Sequence, residues 1–223
     1  MRLLAVDTAR RHGSVALLRD GEVVASASLG VAPGFGEVLF PTIQELLRGQ
    51  ALAVADIEAF AGATGPGSFT GIRVGLVAVK ALAEVGERPV AGVSSLRALA
   101  ASASCEGPRA ALLDARRGEL FCGCYGPGAE ALASETVGVW DAVWPGVRDL
   151  CGYVVANEPS LFAEGGAAEQ APAGRRLSGP RELAGAVAMV AAADLAAGGA
   201  SAPEDIQANY IRKPSARLPA VMR

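Results

Sequence analysis

Residues 65–75, with the sequence Gly-Pro-Gly-Ser-Phe-Thr-Gly-Ile-Arg-Val-Gly, join a turn to the start of a helix and could bind an anion. Their glycines and proline end an apolar run, and Ser68 or Thr70 can cap the helix that follows. A helix N-terminus attracts phosphate because its free N–H groups and its dipole both favour negative charge. The segment is not a P-loop, since the next lysine is Lys80. The pattern therefore allows either a phosphate site or a purely structural turn.

Residues that could bind a metal or act as nucleophiles are scarce. The only histidine is His12, so an H-E-x-x-H zinc site cannot be formed. Ser68 and Ser94 have no histidine nearby in the sequence and no G-x-S-x-G context, which argues against a serine hydrolase. Four cysteines are present: Cys105, Cys122, Cys124 and Cys151. A Cys-x-Cys pair without a histidine is a poor zinc site, so we expect reduced thiols, with Cys122 and Cys124 packing on one face of a strand.

The elements that must position these residues begin with three short strands in an antiparallel meander, at 2–6, 14–18 and 22–29. Asp20-Gly21 is a two-residue hairpin turn between the last two strands. A glycine-rich break at 33–36 precedes an amphipathic helix, and we place Pro41 in the first turn of this helix. Strand, helix and strand then alternate, at 56–63, about 70–85 and 89–93. This alternation predicts a sheet with parallel members.

A second block of the chain repeats this pattern weakly. Ser94 caps a helix to about residue 104, and strands follow at 110–114 and 119–125. Asp7 and Asp114 each end an apolar strand, which suggests two related lobes joined near residue 100. The remainder is predicted as a loop, an alanine-rich helix and a basic tail, at 163–179, from Pro180 to about 199, and at Arg212, Lys213, Arg217 and Arg223.

Size and composition indicate a globular chain of one large domain or two small lobes. It has 223 residues, of which 51% are hydrophobic but only 5% aromatic, so small apolar side chains must build the core. The formal net charge of -3 excludes a strongly basic body that binds nucleic acid by itself, although a local basic patch is allowed. We expect a cytosolic protein, because the N-terminus lacks a signal-peptide pattern and no run of about 20 apolar residues could span a membrane.

The second predicted helix is apolar on nearly all sides. Gly71, Gly75, Ala78 and Leu82 form a ridge of small bulk, and branched aliphatic residues cover the remaining circumference. Such a helix must be covered on nearly every side. The cover comes either from the chain's own core or, if an apolar strip is left open, from a partner.

Five motifs together resemble the TsaB (YeaZ) family. In order they are 4–8 Leu-Ala-Val-Asp-Thr, 39–43 Leu-Phe-Pro-x-Ile, 65–73 Gly-Pro-Gly-Ser-Phe-Thr-Gly-Ile-Arg, 92–96 Gly-Val-Ser-Ser-Leu and 114–119 Asp-Ala-Arg-Arg-Gly-Glu. The match covers about the first 125 residues, and Tyr210-Ile211-Arg212 resembles the closing motif of the family. Residues 126–200 supply no diagnostic motif.

The resemblance implies an α/β fold of the actin-like ATPase type (ASKHA, ribonuclease H-like), with two lobes of mixed sheets flanked by helices. We expect an N-terminal lobe at 1–100, a degenerate second lobe at 101–199, and a C-terminal segment at 200–223 that packs back on the first lobe. It also implies a role in bacterial tRNA threonylcarbamoyladenosine synthesis. There the chain would be a non-catalytic dimerisation and scaffold subunit that pairs with TsaD and activates it, works with TsaE and meets tRNA only through the complex.

The resemblance also directs attention to a degenerate phosphate site. Actin-like proteins bind nucleotide phosphates and a metal through strand-end carboxylates and turns of glycine or hydroxyl residues. Here the turn after Asp7 has Ala9 and two arginines in place of a tight glycine turn. The candidate phosphate residues are Asp7, Thr8, Gly67, Ser68 and Asp114. The alternative is that Asp7 only hydrogen-bonds the adjoining backbone and that the arginines are solvated.

Cofactor and metal expectations are negative for the isolated subunit. A TsaD-like metal site uses a His-x-x-x-His pair, which a chain with one histidine cannot supply. Any ATP is expected at the interface of the complex. The competing hypothesis is a nucleotide-binding ATPase or phosphotransferase of the actin-like superfamily, with Asp7 and Asp114 near the phosphates.

The family resemblance favours the interface role for the two helices, which would pair with their equivalents in TsaD or with a second copy when TsaD is missing. The candidate interface residues are Leu39, Ile43, Leu47, Gly71, Ile72, Arg73, Gly75, Leu76 and Val79. One departure from many relatives is Gly34-Phe35-Gly36, which stands where they have a His-Ser pair. Arg73 could instead be an ordinary solvent-facing helix charge.

Overall fold

The computed structural model describes residues 1–31, 34–199 and 202–212. Some of the predictions above fall outside this range. They concern Pro33 in the glycine-rich break and the tail residues Lys213, Arg217 and Arg223.

The first half of the chain forms a five-stranded mixed sheet, sheet A, in the order β3-β2-β1-β4-β5. Its strands are β1 (Arg2–Asp7), β2 (His12–Arg19), β3 (Glu22–Val31), β4 (Ala59–Gly65) and β5 (Val90–Ser94). The first three pair antiparallel, whereas β4 and β5 join β1 in parallel. Asp20 and Gly21 both have positive φ, 51° and 89°, as a tight two-residue hairpin requires. The predicted meander, its turn and the parallel members are confirmed.

Two helices, α1 (Phe35–Gly49) and α2 (Phe69–Gly86), pack against sheet A and against each other. α1 begins at Phe35, inside the predicted glycine-rich break, so Pro41 lies in its second turn and the prediction of a first-turn position is wrong. The reason is a long-range contact. Phe35 is buried, and its ring occupies the space that a side chain at Gly13 would need. Burial of this ring draws the glycine-containing segment into the helix.

The second half forms another five-stranded sheet, sheet B, in the order β10-β9-β6-β7-β8. Its strands are β6 (Arg109–Arg116), β7 (Glu119–Tyr125), β8 (Thr136–Gly138), β9 (Tyr153–Ala156) and β10 (Arg176–Ser178). Strands β6 to β10 take the places of β1 to β5, with the same antiparallel and parallel pairings. Two mixed sheets flanked by helices confirm the actin-like fold class. The prediction of a loop over 163–179 missed β10, because three residues are too short for a periodic signal.

The remaining helices are α3 (Ser95–Ala101), α4 (Trp140–Val143) and α5 (Ala184–Ala196). Helix α3 follows sheet A but contacts β6, β7 and β9 of sheet B, whereas α5 follows sheet B but contacts all five strands of sheet A. Helix α3, which follows sheet A in the sequence, therefore covers part of sheet B, and α5, which follows sheet B, covers sheet A. The predicted division at residue 100 stays a prediction, and α5 shows that packing crosses it. Helix α5 begins at Ala184, four residues after the predicted start at Pro180.

Residues 202–212, which we call the C-terminal strap, contact both halves of the molecule. The Asn209 N–H donates to the Thr64 carbonyl oxygen at 2.8 Å, and Ile206 covers Gly92 of β5. At its end, Arg212 forms an ion pair with Glu119 of β7. The strap thus bridges sheet A and sheet B.

The cysteines differ in part from the prediction. Cys122 and Cys124 pack in the second hydrophobic core, under sheet B, as expected. Cys124 is joined to Cys151 in a disulfide with a Cα–Cα distance of 6.5 Å, so the prediction of four reduced thiols is wrong for this pair. Their separation of 27 residues gives no local signal. The pairing depends on the turn between α4 and β9 packing beneath β7. Burial raises the pKa of the free Cys122 thiol to about 12.

Candidate functional site

The glycine-rich segment ends β4 and begins α2. Ser68 is the N-cap, and its Oγ accepts a hydrogen bond from the Gly71 N–H at 3.3 Å. The Ser68 N–H donates to the Ala9 carbonyl oxygen at 2.6 Å. Of the two capping residues that the sequence allows, Ser68 is therefore the one used. Both of these N–H groups have acceptors within the protein.

Three glycines of this segment leave space for the turn between β1 and β2 to pack closely against it. A Cβ atom added to Gly67 or Gly71 would lie less than 3.0 Å from the carbonyl oxygen of Ala9 or Thr8. A Cβ atom at Gly75 would clash in the same way with the Thr8 hydroxyl. That hydroxyl donates to the Gly71 carbonyl oxygen at 2.7 Å. The glycine spacing thus allows the turn after β1 to approach α2 closely. This is the purely structural alternative to a phosphate site that the sequence left open.

This packing bears on the candidate phosphate residues. The carbonyl oxygens of Thr8 and Ala9 lie against the glycines, where they would repel a phosphate group. Thr8 is buried and its hydroxyl is committed to Gly71. A phosphate role for Thr8 and Gly67 stays a prediction that these contacts disfavour.

Asp7 at the end of β1 is fully buried and has two partners. Its Oδ1 accepts from the Ala9 N–H at 3.0 Å, and its Oδ2 accepts from Arg10 Nη2 at 2.9 Å. The hydrogen bond to the adjoining backbone is the alternative that the sequence allowed. Solvation of both arginines is not observed, because only 8% of the Arg10 side chain is exposed, whereas Arg11 is exposed.

Asp114 repeats this arrangement in sheet B. Its Oδ1 accepts from the Arg116 N–H at 2.7 Å, and its Oδ2 accepts from Arg116 Nη1 at 2.9 Å. This second ion pair is partly exposed. The two halves therefore share an aspartate at a strand end that is neutralised by an arginine two or three residues later. Sequence reasoning found both aspartates but missed both ion pairs.

A cavity of about 710 Å³ lies between the two sheets. Ser68, Gly67 and Asp114 line it, together with Arg10, but Asp7 and Thr8 do not. The structure therefore brings three of the five candidate phosphate residues to one cavity and leaves two behind its wall. Among the described residues, no group of three or more His, Cys, Asp or Glu side chains could hold a metal ion.

The C-terminal strap forms one edge of this cavity. The Tyr210 ring stacks on Phe69 at a centroid distance of 4.9 Å, and the Arg73 guanidinium lies 3.9 Å from the Phe69 centroid. Arg73 Nε also donates to the Tyr210 hydroxyl at 3.2 Å. Arg73, a predicted interface residue, is exposed, and its guanidinium contacts Phe69 and Tyr210 of its own chain. The only sequence signal for Tyr210 was the closing family motif.

Glu135 links the C-terminal strap to sheet A and sheet B through hydrogen bonds. Its carboxylate accepts hydrogen bonds from the Ser94 and Tyr125 hydroxyls and from Asn209 Nδ2. Burial, with the neighbouring Glu135 charge, raises the pKa of Tyr125. Ser94 also caps α3, as predicted, by accepting from the Leu96 N–H. Glu135 lies in the stretch without motifs, so sequence reasoning could not find it.

Helices α1 and α2 carry the predicted interface residues. Most of its predicted residues are buried inside the single chain: Leu39, Ile43, Leu47, Gly71, Ile72, Gly75, Leu76 and Val79. Leu76 and Val79 pack on Gly62 of β4, and the glycines pack on the turn after β1. These residues are directed at the chain's own core, so their assignment as interface contacts stays a prediction that this burial disfavours. The large hydrophobic side chains left exposed on the two helices are Val38, Phe40, Phe69, Val77 and Val85.

Known proteins resemble the chain in both structure and sequence. A solved structure from Pseudomonas aeruginosa, described as an uncharacterized protein with similarity to peptidase YEAZ, superposes with a TM-score of 0.71 and 28% identity. The superposition covers 95% of this chain and 99% of that chain. The Escherichia coli tRNA threonylcarbamoyladenosine biosynthesis protein TsaB is 39% identical over 128 residues. The chain belongs to the TsaB (YeaZ) family. The resemblance that the motifs carried is thereby confirmed.

Further comparisons define the extent of the TsaB match. A Bacillus subtilis protein with the same TsaB name is 35% identical over 126 residues, and this alignment covers 56% of this chain and 55% of the relative. The chain thus spans about half the length of the curated TsaB relatives it matches. A family model described as TsaD, tRNA N6-adenosine threonylcarbamoyltransferase, matches residues 30–141, about half of the chain. No helix among the described residues of this TsaB-family chain is long and apolar enough to cross a membrane.

Proposed function

We propose that this chain is a non-catalytic scaffold subunit in tRNA threonylcarbamoyladenosine synthesis, and that it pairs with TsaD through α1 and α2. The observation that carries the proposal is the apolar surface that these helices leave open. Phe40 on α1 is 46% exposed and Val77 on α2 is 66% exposed. Membership of the TsaB family and the match of a TsaD-described family model support this partner.

The proposed interface contains side chains that the chain's own sheet cannot cover. On α2, Val77 lies between the partly exposed Val74 and Lys80, one turn away on either side. On α1, Phe40 lies between the exposed Glu37 and Gln44, about one turn away on either side. A few apolar side chains surrounded by polar ones are typical of a protein–protein contact, in which aromatic residues supply much of the binding energy. In the absence of TsaD, the same surface is proposed to pair with a second copy of this chain.

The non-catalytic assignment rests on the pairing of the two strand-end carboxylates, Asp7 and Asp114, with arginines. Both Asp7 oxygens accept hydrogen bonds, one from Ala9 and one from Arg10. Asp114 is paired with Arg116 in the same way. Each carboxylate is neutralised by an arginine, so neither offers the free negative charge that a metal-bound nucleotide requires. For this reason we do not favour the ATPase or phosphotransferase alternative. TsaE and tRNA would meet this chain within the complex.

The helix-pair interface is tested by placing a charge in it. Val77→Glu should weaken the heterodimer with purified TsaD about 100-fold or more, because a buried unpaired carboxylate costs about 3 kcal/mol. Val139→Glu is the matched control, because Val139 is similarly exposed but precedes α4, which packs on β7 and β8. Size-exclusion chromatography and calorimetry report the dissociation constant. A Val77→Glu heterodimer as tight as the control would refute this interface.

The scaffold role is tested by reconstitution. Purified TsaD and TsaE with tRNA, ATP and a threonylcarbamoyl donor should give modified tRNA only when this chain is added. Equal product without the chain would refute the assignment. The Val77→Glu variant should lower the product in proportion to the loss of heterodimer.

A further inference from the structure

We infer that Arg73 binds a carboxylate of TsaD, and that Tyr210 of the C-terminal strap holds the Arg73 side chain in position for it. Both roles rest on the proposed pairing of α1 and α2 with TsaD. They add the chemistry that the partner must supply at one point of that interface, an aspartate or glutamate side chain. They also give the strap a part in the interface, although it lies outside the two helices.

The exposed ridge of α2 consists of apolar residues and one arginine. Residues four apart are neighbours on a helix surface and form a ridge of the kind that packs into a groove of another helix. Every fourth residue from the start of α2 is exposed, in the order Phe69, Arg73, Val77, Ala81 and Val85. A partner that packs along this ridge therefore meets apolar atoms and, near one end, a single positive charge.

Arg73 is held by its own chain on one side and is open on the other. Its Nε donates to the Tyr210 hydroxyl at 3.2 Å, and its guanidinium lies 3.9 Å from the Phe69 centroid. Among the described residues, no carboxylate forms an ion pair with Arg73. Arg73 also does not belong to the described residues that line the cavity between the sheets. Its terminal nitrogens are thus available to a partner at the outer surface of α2.

The strap restricts the motion of this arginine. The Tyr210 ring stacks on Phe69 with an interplanar angle of 28°, so the hydroxyl that accepts from Arg73 is itself held in place. An arginine that is already fixed loses less rotamer freedom when it binds. Because the Tyr210 hydroxyl accepts from Arg73, its own hydrogen is free to donate to the same ligand. Arg73 and Tyr210 together therefore offer donors to one acceptor group.

An arginine inside an apolar contact requires an anionic partner. If only apolar atoms covered its guanidinium, the charge would lose its water without a replacement. The edge formed by the two terminal nitrogens can bind both oxygens of a carboxylate. An RNA phosphate has similar oxygens, but Val77, Ala81 and Val85 would then lie against a polar sugar–phosphate backbone. The ridge as a whole therefore fits a protein surface that carries an acidic side chain.

Arg73→Met tests the carboxylate by the sign of its effect on the dissociation constant, measured by calorimetry with purified TsaD. Methionine keeps an apolar side chain of similar length but has no charge. A TsaD carboxylate that pairs with Arg73 would be left unpaired, so the heterodimer should weaken about 30-fold or more. Unchanged or tighter binding is the result expected when only apolar atoms cover Arg73, and it would overturn the inference. Arg175→Met, at an exposed position in the second half of the chain, is the matched control and should bind as the wild type does.

Tyr210→Phe tests the positioning role of the strap. Phenylalanine keeps the stacking on Phe69 but cannot accept from Arg73 Nε, so the heterodimer should weaken about three- to tenfold. In the Arg73→Met background the same change should have no effect, because the interaction that it removes is already absent. A Tyr210 that only supports the fold would give equal losses in both backgrounds, and this result would overturn its positioning role.

The carboxylate itself is located on the partner. Exposed Asp and Glu side chains of TsaD are replaced one at a time by Asn and Gln. One replacement should weaken the heterodimer about as much as Arg73→Met does, and the two losses should not add when they are combined. If no replacement shows this behaviour, the inference is overturned.

The results separate these roles from the proposed function. A heterodimer that Val77→Glu weakens but Arg73→Met does not would leave the helix interface in place and overturn the role of Arg73 alone. No heterodimer of the wild-type chain with TsaD would refute both. Binding of unmodified tRNA by the isolated chain, if Arg73→Met abolished it, would make an RNA phosphate the ligand of Arg73 and overturn the assignment of a carboxylate.

Discussion

Thr8 and Gly75 lie against each other at the point where β1 ends and α2 passes over it. The Thr8 hydroxyl occupies the space that a Cβ atom at position 75 would need, and it donates to the Gly71 carbonyl oxygen at 2.7 Å. The glycine-rich segment therefore leaves space for the turn that contains Thr8. Its glycines contribute by allowing this close packing.

Gly75→Ala should destabilise the fold by about 1–3 kcal/mol, because the added methyl group overpacks the contact with Thr8. In the double variant with Thr8→Ala, part of this loss should be recovered, since the clashing atom is removed. Gly71→Ala should not be rescued, because its clash is with the backbone oxygen of Thr8. Urea unfolding measures all of these variants.

Gly36→Ala is the control for these glycine substitutions. Nothing lies within 4 Å of an added Cβ there, and Gly36 is inside α1. We expect it to be neutral or stabilising by about 0.5–1 kcal/mol. A Gly75→Ala variant as stable as Gly36→Ala would contradict the close approach of Thr8.

The two aspartate–arginine pairs should contribute different amounts to the free energy of unfolding. Asp7→Asn leaves the buried Arg10 charge unpaired and should cost about 3–5 kcal/mol. Asp114→Asn should cost no more than about 1 kcal/mol, because the Arg116 side chain of that pair is largely exposed. The free energy of unfolding at neutral pH reports both. Equal losses would mean that burial does not distinguish the pairs.

A double-mutant cycle isolates the first pair. Asp7→Asn combined with Arg10→Met should cost less than the sum of the single changes, because no buried charge is then left alone. Additive losses would show that the two residues act separately.

Stability should fall at alkaline pH because of Cys122. Burial raises the pKa of its thiol from 9.0 to about 12. Above pH about 9 the unfolded chain loses this proton while the folded chain keeps it, so the free energy of unfolding decreases as pH rises towards 12. The loss from this group is on the order of 4 kcal/mol.

Cys122→Ala should remove this part of the pH dependence. The remaining decline above pH about 10 should come in part from Tyr125, whose pKa is also raised by burial. Denaturant unfolding between pH 8 and about 11, before and after the substitution, gives the difference. A wild type and a Cys122→Ala variant with parallel curves would contradict burial of the thiol.

Glu135 should control the attachment of the C-terminal strap. Glu135→Ala removes the acceptor shared by Ser94, Tyr125 and Asn209, so the strap loses one of its anchors. The Asn209 N–H, which donates to Thr64 in the native state, should exchange with deuterium about tenfold faster or more. Glu164→Ala is the control, since Glu164 is exposed on a loop. Unchanged exchange at Asn209 would show that Glu135 does not hold the strap.

Much of the fold could be predicted from local patterns. The β-meander and its Asp20-Gly21 turn, the Ser94 cap, and the bounds of α2 to within one residue all follow from turn chemistry and periodicity, which act between neighbours in the chain. For the cap of α2 the sequence allowed Ser68 or Thr70, and the structure uses Ser68. The repeated Asp7 and Asp114 indicated two related halves. The family followed from motifs of the same local kind, above all residues 65–73.

The tertiary structure decided which of the predicted residues are available at a surface. Helix α2 is apolar on nearly every side, so its sequence does not tell which side faces sheet A, and the structure buries Leu76 and Val79 while it exposes Val77. The attachment of the strap by Glu135 and the pairing of Cys124 with Cys151 join residues that are distant in the sequence or lie in segments without motifs. Arg10 is close to Asp7 in the sequence, but no local pattern shows that its side chain is buried. Burial and pairing depend on the packing of whole sheets and helices against each other. Local sequence patterns carry no record of that packing, whereas they do carry the turns, caps and periodicities from which the elements form.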